Sequence, residues 1–106
     1  MKVVFDSLVE DFLYDLVEIL YEKNYFEFYE EADDYVSGLV YDITTSIPYK
    51  LQRPAPPHFN RYGKNMSYVV FKKNNYTQWY VFFNQEDDIY YIRYIGNNHT
   101  CAQYFP

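Results

Sequence analysis

Apolar residues recur at helical spacing through the first half of the chain and in strand-like runs through the second. Lys2-Val3-Val4-Phe5 is short and apolar, consistent with a first strand. Val9, Phe12, Leu13, Leu16, Val17 and Leu20 then fall on one side of a helix, with Glu10, Asp11, Asp15, Glu18 and Glu22 largely between them. This spacing predicts a helix over about residues 7–22. Ser7 and Glu10 have the form of a capping box, in which each side chain satisfies a backbone donor of the other. Lys23-Asn24 breaks the pattern. A second helical run follows, with Phe28, Tyr29, Ala32, Tyr35, Val36, Leu39, Val40, Ile43 and Ile47 on its apolar side. Gly38 inside this run costs about 1 kcal/mol against alanine, which predicts close approach of a neighbouring element there. Pro48 ends the run, because the residue before a proline avoids the helical region. So short a link between two helices predicts an antiparallel hairpin.

Residues 48–65 change character. Pro48, Pro54, Pro56 and Pro57 exclude helix and central strand, so this stretch reads as a stiffened loop. It carries Lys50, Arg53, His58, Arg61 and Lys64 and no carboxylate, and a basic loop of this length in a small domain is often functional. Strand-like runs follow at Tyr68–Lys73, Thr77–Phe83 and Ile89–Ile95, parted by turns at Asn74–Tyr76 and Asn84–Asp88, with Cys101–Phe105 as a last short strand. The middle runs are apolar on both faces. That suits a sheet with the helix hairpin on one side and an aromatic-lined, partly covered groove on the other. The expected class is α+β: an N-terminal antiparallel helix hairpin packed on a C-terminal antiparallel β-meander, all in one domain spanning residues 1–106.

Composition sharpens this picture. Aromatic residues make up 24% of the chain, 15 of them tyrosine, which argues against disorder and suggests a contact surface as well as a core. Cys101 is the sole cysteine, so no internal disulfide can form. The N-terminus has too short an apolar run for a signal peptide, and no stretch reaches the ~18 apolar residues of a membrane span. The expected location is the cytoplasm. The net charge of −6 is unevenly spread: residues 1–47 hold two lysines against twelve carboxylates, and residues 48–106 hold seven lysines and arginines against three. Such asymmetry points to a nucleic-acid surface on the basic half, although the acidic total opposes simple non-specific binding. His58 and His99 are isolated, which excludes the usual metal spacings, and three glycines make no phosphate loop.

The order of elements, together with Trp79-Tyr80-Val81-Phe82-Phe83 and the run from Ile89 to His99, resembles the RelE/ParE family, the toxins of bacterial type II toxin–antitoxin pairs. The resemblance covers nearly the whole chain as a pattern and is specific at the residue level for about 77–105. It implies a RelE-like fold and a metal-independent endoribonuclease that cuts messenger RNA in the ribosome. In that chemistry the RNA's own 2′-hydroxyl attacks the adjacent phosphate. By position, the resemblance assigns proton transfer to His99, base stacking or a share of the proton work to Tyr104, and charge stabilisation to Arg61. Lys50, Arg53, Lys64 and Arg93 would bind RNA. The implied partners are a cognate antitoxin protein, the ribosome and messenger RNA, with no membrane and no metal or small-molecule cofactor.

The chain departs from the family in its acidic total and in reading Trp79-Tyr80-Val81 on the strand that often supplies an arginine. Two other readings therefore stay open: a ParE-like toxin that targets DNA gyrase without nuclease activity, and a non-catalytic binding module on the same fold. For single residues, the alternatives are a turn cap for His99, packing for Tyr104 and Trp79, solvated loop charges for Arg61 and Lys64, and an ion pair with a helix carboxylate for Arg93.

Overall fold

A computed structural model describes residues 1–105. Its elements run β1 (Lys2–Phe5), α1 (Ser7–Glu22), α2 (Tyr29–Ser46), β2 (Arg53–Pro54), β3 (Ser67–Lys72), β4 (Gln78–Glu86), β5 (Ile89–Asn97) and α3 (Asn98–Cys101), with 3-10 turns at Ile47–Tyr49, Pro57–Arg61 and Ala102–Tyr104. The fold is α+β. Five strands form one open sheet in the order β1-β5-β4-β3-β2. The three long strands make the expected meander, but the sheet is mixed, because β1 lies parallel beside β5 with Lys2 opposite Ile89.

The helix pair and one face of the sheet share a core. Val9, Leu16, Ala32, Leu39 and Ile43 pack against Val69, Trp79, Val81, Phe83, Ile92 and Ile95. Trp79 is only 3% exposed, and its indole N–H donates to the Tyr35 hydroxyl at 2.9 Å, which satisfies the one polar atom that burial would otherwise strand. The opposite face has its own smaller core, in which Phe59, Met66, Phe82 and Cys101 are buried under Tyr68, Tyr80, Tyr94 and Phe105.

Several local expectations are corrected. The start of α1 carries no capping box: Asp6 is the N-cap, it makes no side-chain cap bond, and its carboxylate accepts from Arg93 instead. Around Gly38 there is room, because an added Cβ would come no closer than 3.7 Å to Lys73 Nζ, an ordinary contact. The 48–65 segment holds a two-residue edge strand and two 3-10 turns, places that tolerate proline. Strand β4 runs on through Glu86, so the turn shrinks to Asp87-Asp88, with Asp87 at φ 53°. Residues 98–104 coil into α3 and a 3-10 turn rather than a strand, because Asn97 caps them by accepting from the Thr100 N–H at 3.0 Å. Among the described residues, no helix is long and apolar enough to cross a membrane.

Candidate nucleic-acid interface

The second face of the sheet is built from the basic half of the chain. No Asp or Glu occurs from residue 48 through 85, and the three carboxylates beyond lie at Glu86, Asp87 and Asp88, on the β4–β5 turn. Pro57 opens the 3-10 turn Pro57–Arg61, where its missing N–H costs nothing. The turn lays Phe59 on Phe82 with ring centroids 4.2 Å apart, and just beyond it Tyr62 lies on Tyr94 at 4.0 Å with planes within 10°. The same turn raises His58 against the C-terminal segment. Its imidazole stacks on the phenol of Tyr104 with centroids 3.4 Å apart and planes 5° apart.

Electrostatics follow from this packing. Desolvation among the rings, and then the nearby Arg61 guanidinium, hold the His58 imidazole below the usual histidine value of 6.5. Burial pushes the Tyr94 phenol up to about 12, helped by Tyr62 beside it. Burial also raises Tyr80 and Cys101. Both causes favour the neutral imidazole, with the exposed Arg61 beside it.

The structure places the seven expected site residues as follows. Tyr104 lies on this face, 39% exposed, and with Arg53 it lines a hollow of about 600 Å³ beside Tyr68 and Phe105. Arg53 also borders the neighbouring hollow that Lys50 lines. Lys50 reaches back over the Phe71 ring, 4.7 Å from its centroid. Arg61 is exposed, and its Nε donates to the His58 carbonyl at 3.2 Å. The Lys64 carbonyl accepts from Asn84 Nδ2 at 2.9 Å, and Asn84 Oδ1 in turn accepts from Arg93 Nε at 3.2 Å.

Arg93 is the extra residue of a β-bulge: Phe82 pairs with Tyr94 and Phe83 with Ile92. The bulge turns Arg93 towards Asn84, opposite the buried Ile92 and Ile95, as bulges commonly re-aim a side chain. Its guanidinium is committed, however, because Nη1 donates to Asp6 at 3.0 Å. This contact is the ion-pair alternative, with Asp6, the N-cap of α1, as the carboxylate, and it leaves the Arg93 side chain about a third exposed (32%).

His99 stands apart. It sits on α3 and borders a cleft on the helix side, with Leu20, Phe26, Tyr35 and Trp79. It shares no hollow with Tyr104, because α3 turns the chain at the sheet edge before Tyr104 folds back over the second face. His99 and Tyr104 do not meet; the histidine beside Tyr104 is His58. The family resemblance assigns His58 no role. The legible signal was its setting, a histidine and two aromatic residues interleaved with Arg61 in a proline-stiffened, carboxylate-free run. Among the described residues, no three His, Cys, Asp or Glu side chains are grouped to hold a metal.

Comparison with protein-family models, curated proteins and solved structures found no match. What the chain does must therefore be argued from its own surface.

Proposed function

We propose that this chain is a RelE/ParE-type toxin whose basic, aromatic second face engages RNA, and that His58 and Tyr104 perform a metal-independent cleavage of messenger RNA on the ribosome. The observation that carries the reading is the His58–Tyr104 stack, with Arg61 and Arg53 supplied by a stretch, residues 48–85, that holds no carboxylate. The order of elements and the helix-backed meander are consistent with it.

The chemistry is balanced by groups at hand. The proton of the RNA 2′-hydroxyl passes to the neutral His58 imidazole as the 2′-oxygen bonds to phosphorus. The bond from phosphorus to the 5′-oxygen breaks, and that oxygen takes a proton from the Tyr104 phenol. Arg61 stabilises the charge that builds on the phosphate. Tyr104, 39% exposed, and the half-buried Tyr68 line the hollow in which an unpaired base would pack.

A second reading, a gyrase-directed or non-catalytic member of the same fold, is favoured by two observations: Arg93 is neutralised by Asp6, and His99 lies on the other side. Expression of the chain alone in a bacterial host separates the two. The nuclease reading predicts growth arrest with messages cut within coding regions. Arrest with intact messages and broken DNA selects the gyrase reading, and harmless expression selects the binding module.

A further inference from the structure

We infer that the free edge of β1 is a docking site for an extended, lysine- or arginine-rich segment of a partner protein. This inference does not depend on the nuclease reading, because the site lies on the acidic half of the molecule, against the helix pair.

Strand β1 closes one side of the sheet and pairs only with β5. The Lys2 N–H donates to the Asp88 carbonyl and the Asp6 N–H to the Ile92 carbonyl, so the even-numbered amides of this strand point at β5. By alternation, the N–H and C=O groups of Val3 and Phe5 point outward, away from the sheet. They open into a groove of about 720 Å³ between β1 and the two helices, whose floor is apolar through Leu13, Val17, Val36 and Val40. Unpaired strand edges of this kind are templates for strand addition, in which main-chain bonds give affinity and alternate side chains fill the groove.

Charge selects the occupant. The groove is lined wholly by residues 2–40; Glu10 and Asp33 stand on its walls against one cation, Lys2, and the surrounding half of the chain holds two lysines against twelve carboxylates. A segment alternating apolar and basic residues would meet complementary charge. A second copy of the chain fits poorly by either route. Pairing β1 with β1 would set two acidic halves against each other, and the sheet's other edge, β2, is two residues long and ends in Pro54.

The test uses the full chain and a synthetic hexapeptide, Lys-Val-Lys-Ile-Lys-Val, capped at both ends, with a Glu-for-Lys counterpart. Fluorescence anisotropy of labelled peptide measures binding, and amide hydrogen exchange by NMR locates it. The lysine peptide should bind at least about tenfold more tightly than the glutamate peptide. Exchange at Val3 and Phe5 should slow by about tenfold or more on binding. Glu10→Lys and Asp33→Lys, both surface changes, should each weaken binding several-fold while far-UV circular dichroism stays unchanged. Absent binding, equal binding of the two peptides, or binding that leaves Val3 and Phe5 exchange unaltered would overturn the proposal. So would sedimentation showing a dimer of the chain that protects those two amides by itself.

Discussion

The imidazole of His58 lies flat on the phenol of Tyr104, ring centroids 3.4 Å apart, although the two residues belong to segments separated by the whole meander. The contact joins the proline-stiffened segment to the C-terminal turn and helps to shield the His58 ring from water. Desolvation is the first cause of its lowered pKa and Arg61 the second, so the neutral form is favoured in the fold. A group depressed this way contributes stability that is present above the unfolded value of 6.5 and lost as pH falls through it towards the folded value. The urea midpoint should therefore drop between pH 7 and 5, with a smaller drop in His58→Gln. In an NMR titration His58 should ionise below 6.5, and Tyr104→Ala should move it back upward.

Tyr94 gives the opposite slope at the other end of the pH scale. Its phenol is held to about 12 by burial and by Tyr62 stacked on it, whereas in the unfolded chain it ionises at 10.0. Stability from this group is complete below pH 10 and is lost as pH climbs towards 12. Denaturant midpoints measured from pH 9 to 11.5 should fall more steeply in the wild type than in Tyr94→Phe.

Gly96 and Cys101 are fitted to each other. A Cβ on Gly96 would stand 2.5 Å from Cys101 Sγ and 3.2 Å from a Tyr94 ring carbon. Gly96→Ala should cost about 1–3 kcal/mol as overpacking. Adding Cys101→Ala removes the sulfur and should recover part of that loss, so the double mutant should show a coupling of more than about 0.5 kcal/mol in chemical denaturation.

Gly38 is the contrasting case. It lies within α2 with negative φ and with space for a methyl group. Gly38→Ala should stabilise the protein by roughly 0.5–1 kcal/mol through helix propensity alone, read as a raised melting temperature.

The elements that were legible in the sequence are those specified by local pattern. Helix α1 occupies Ser7–Glu22, as its uninterrupted amphipathic spacing indicates. The three long strands were visible from their aromatic and β-branched runs. What was hidden depends on partners distant in the chain. The parallel pairing of β1 with β5 joins the two ends of the chain, and no local motif announces it. Asn84, Gln85 and Glu86 read as a turn because they are polar, yet they continue β4 past the edge of the core. Cys101–Phe105 reads as a last short strand, but the Asn97 cap upstream starts a helical turn.

The candidate site divides in the same way. The basic loop was plain from its missing carboxylates, as was its proline stiffening. That His58 rather than His99 lies beside Tyr104 was not, because it is fixed by how α3 redirects the last residues over the sheet. An ion pair was among the readings for Arg93, but which carboxylate it takes was not legible, because Asp6 lies at the opposite end of the sequence.

The most direct test of the proposed chemistry is a purified reaction of ribosomes, a programmed messenger RNA and the wild-type, His58→Ala or His99→Ala chain, with cut sites mapped by primer extension. The account predicts discrete cuts by wild type, a rate loss of at least about 100-fold in His58→Ala, and cuts that persist in His99→Ala. Intact message with the wild-type chain, or cleavage that survives loss of His58 and disappears with loss of His99, would contradict it.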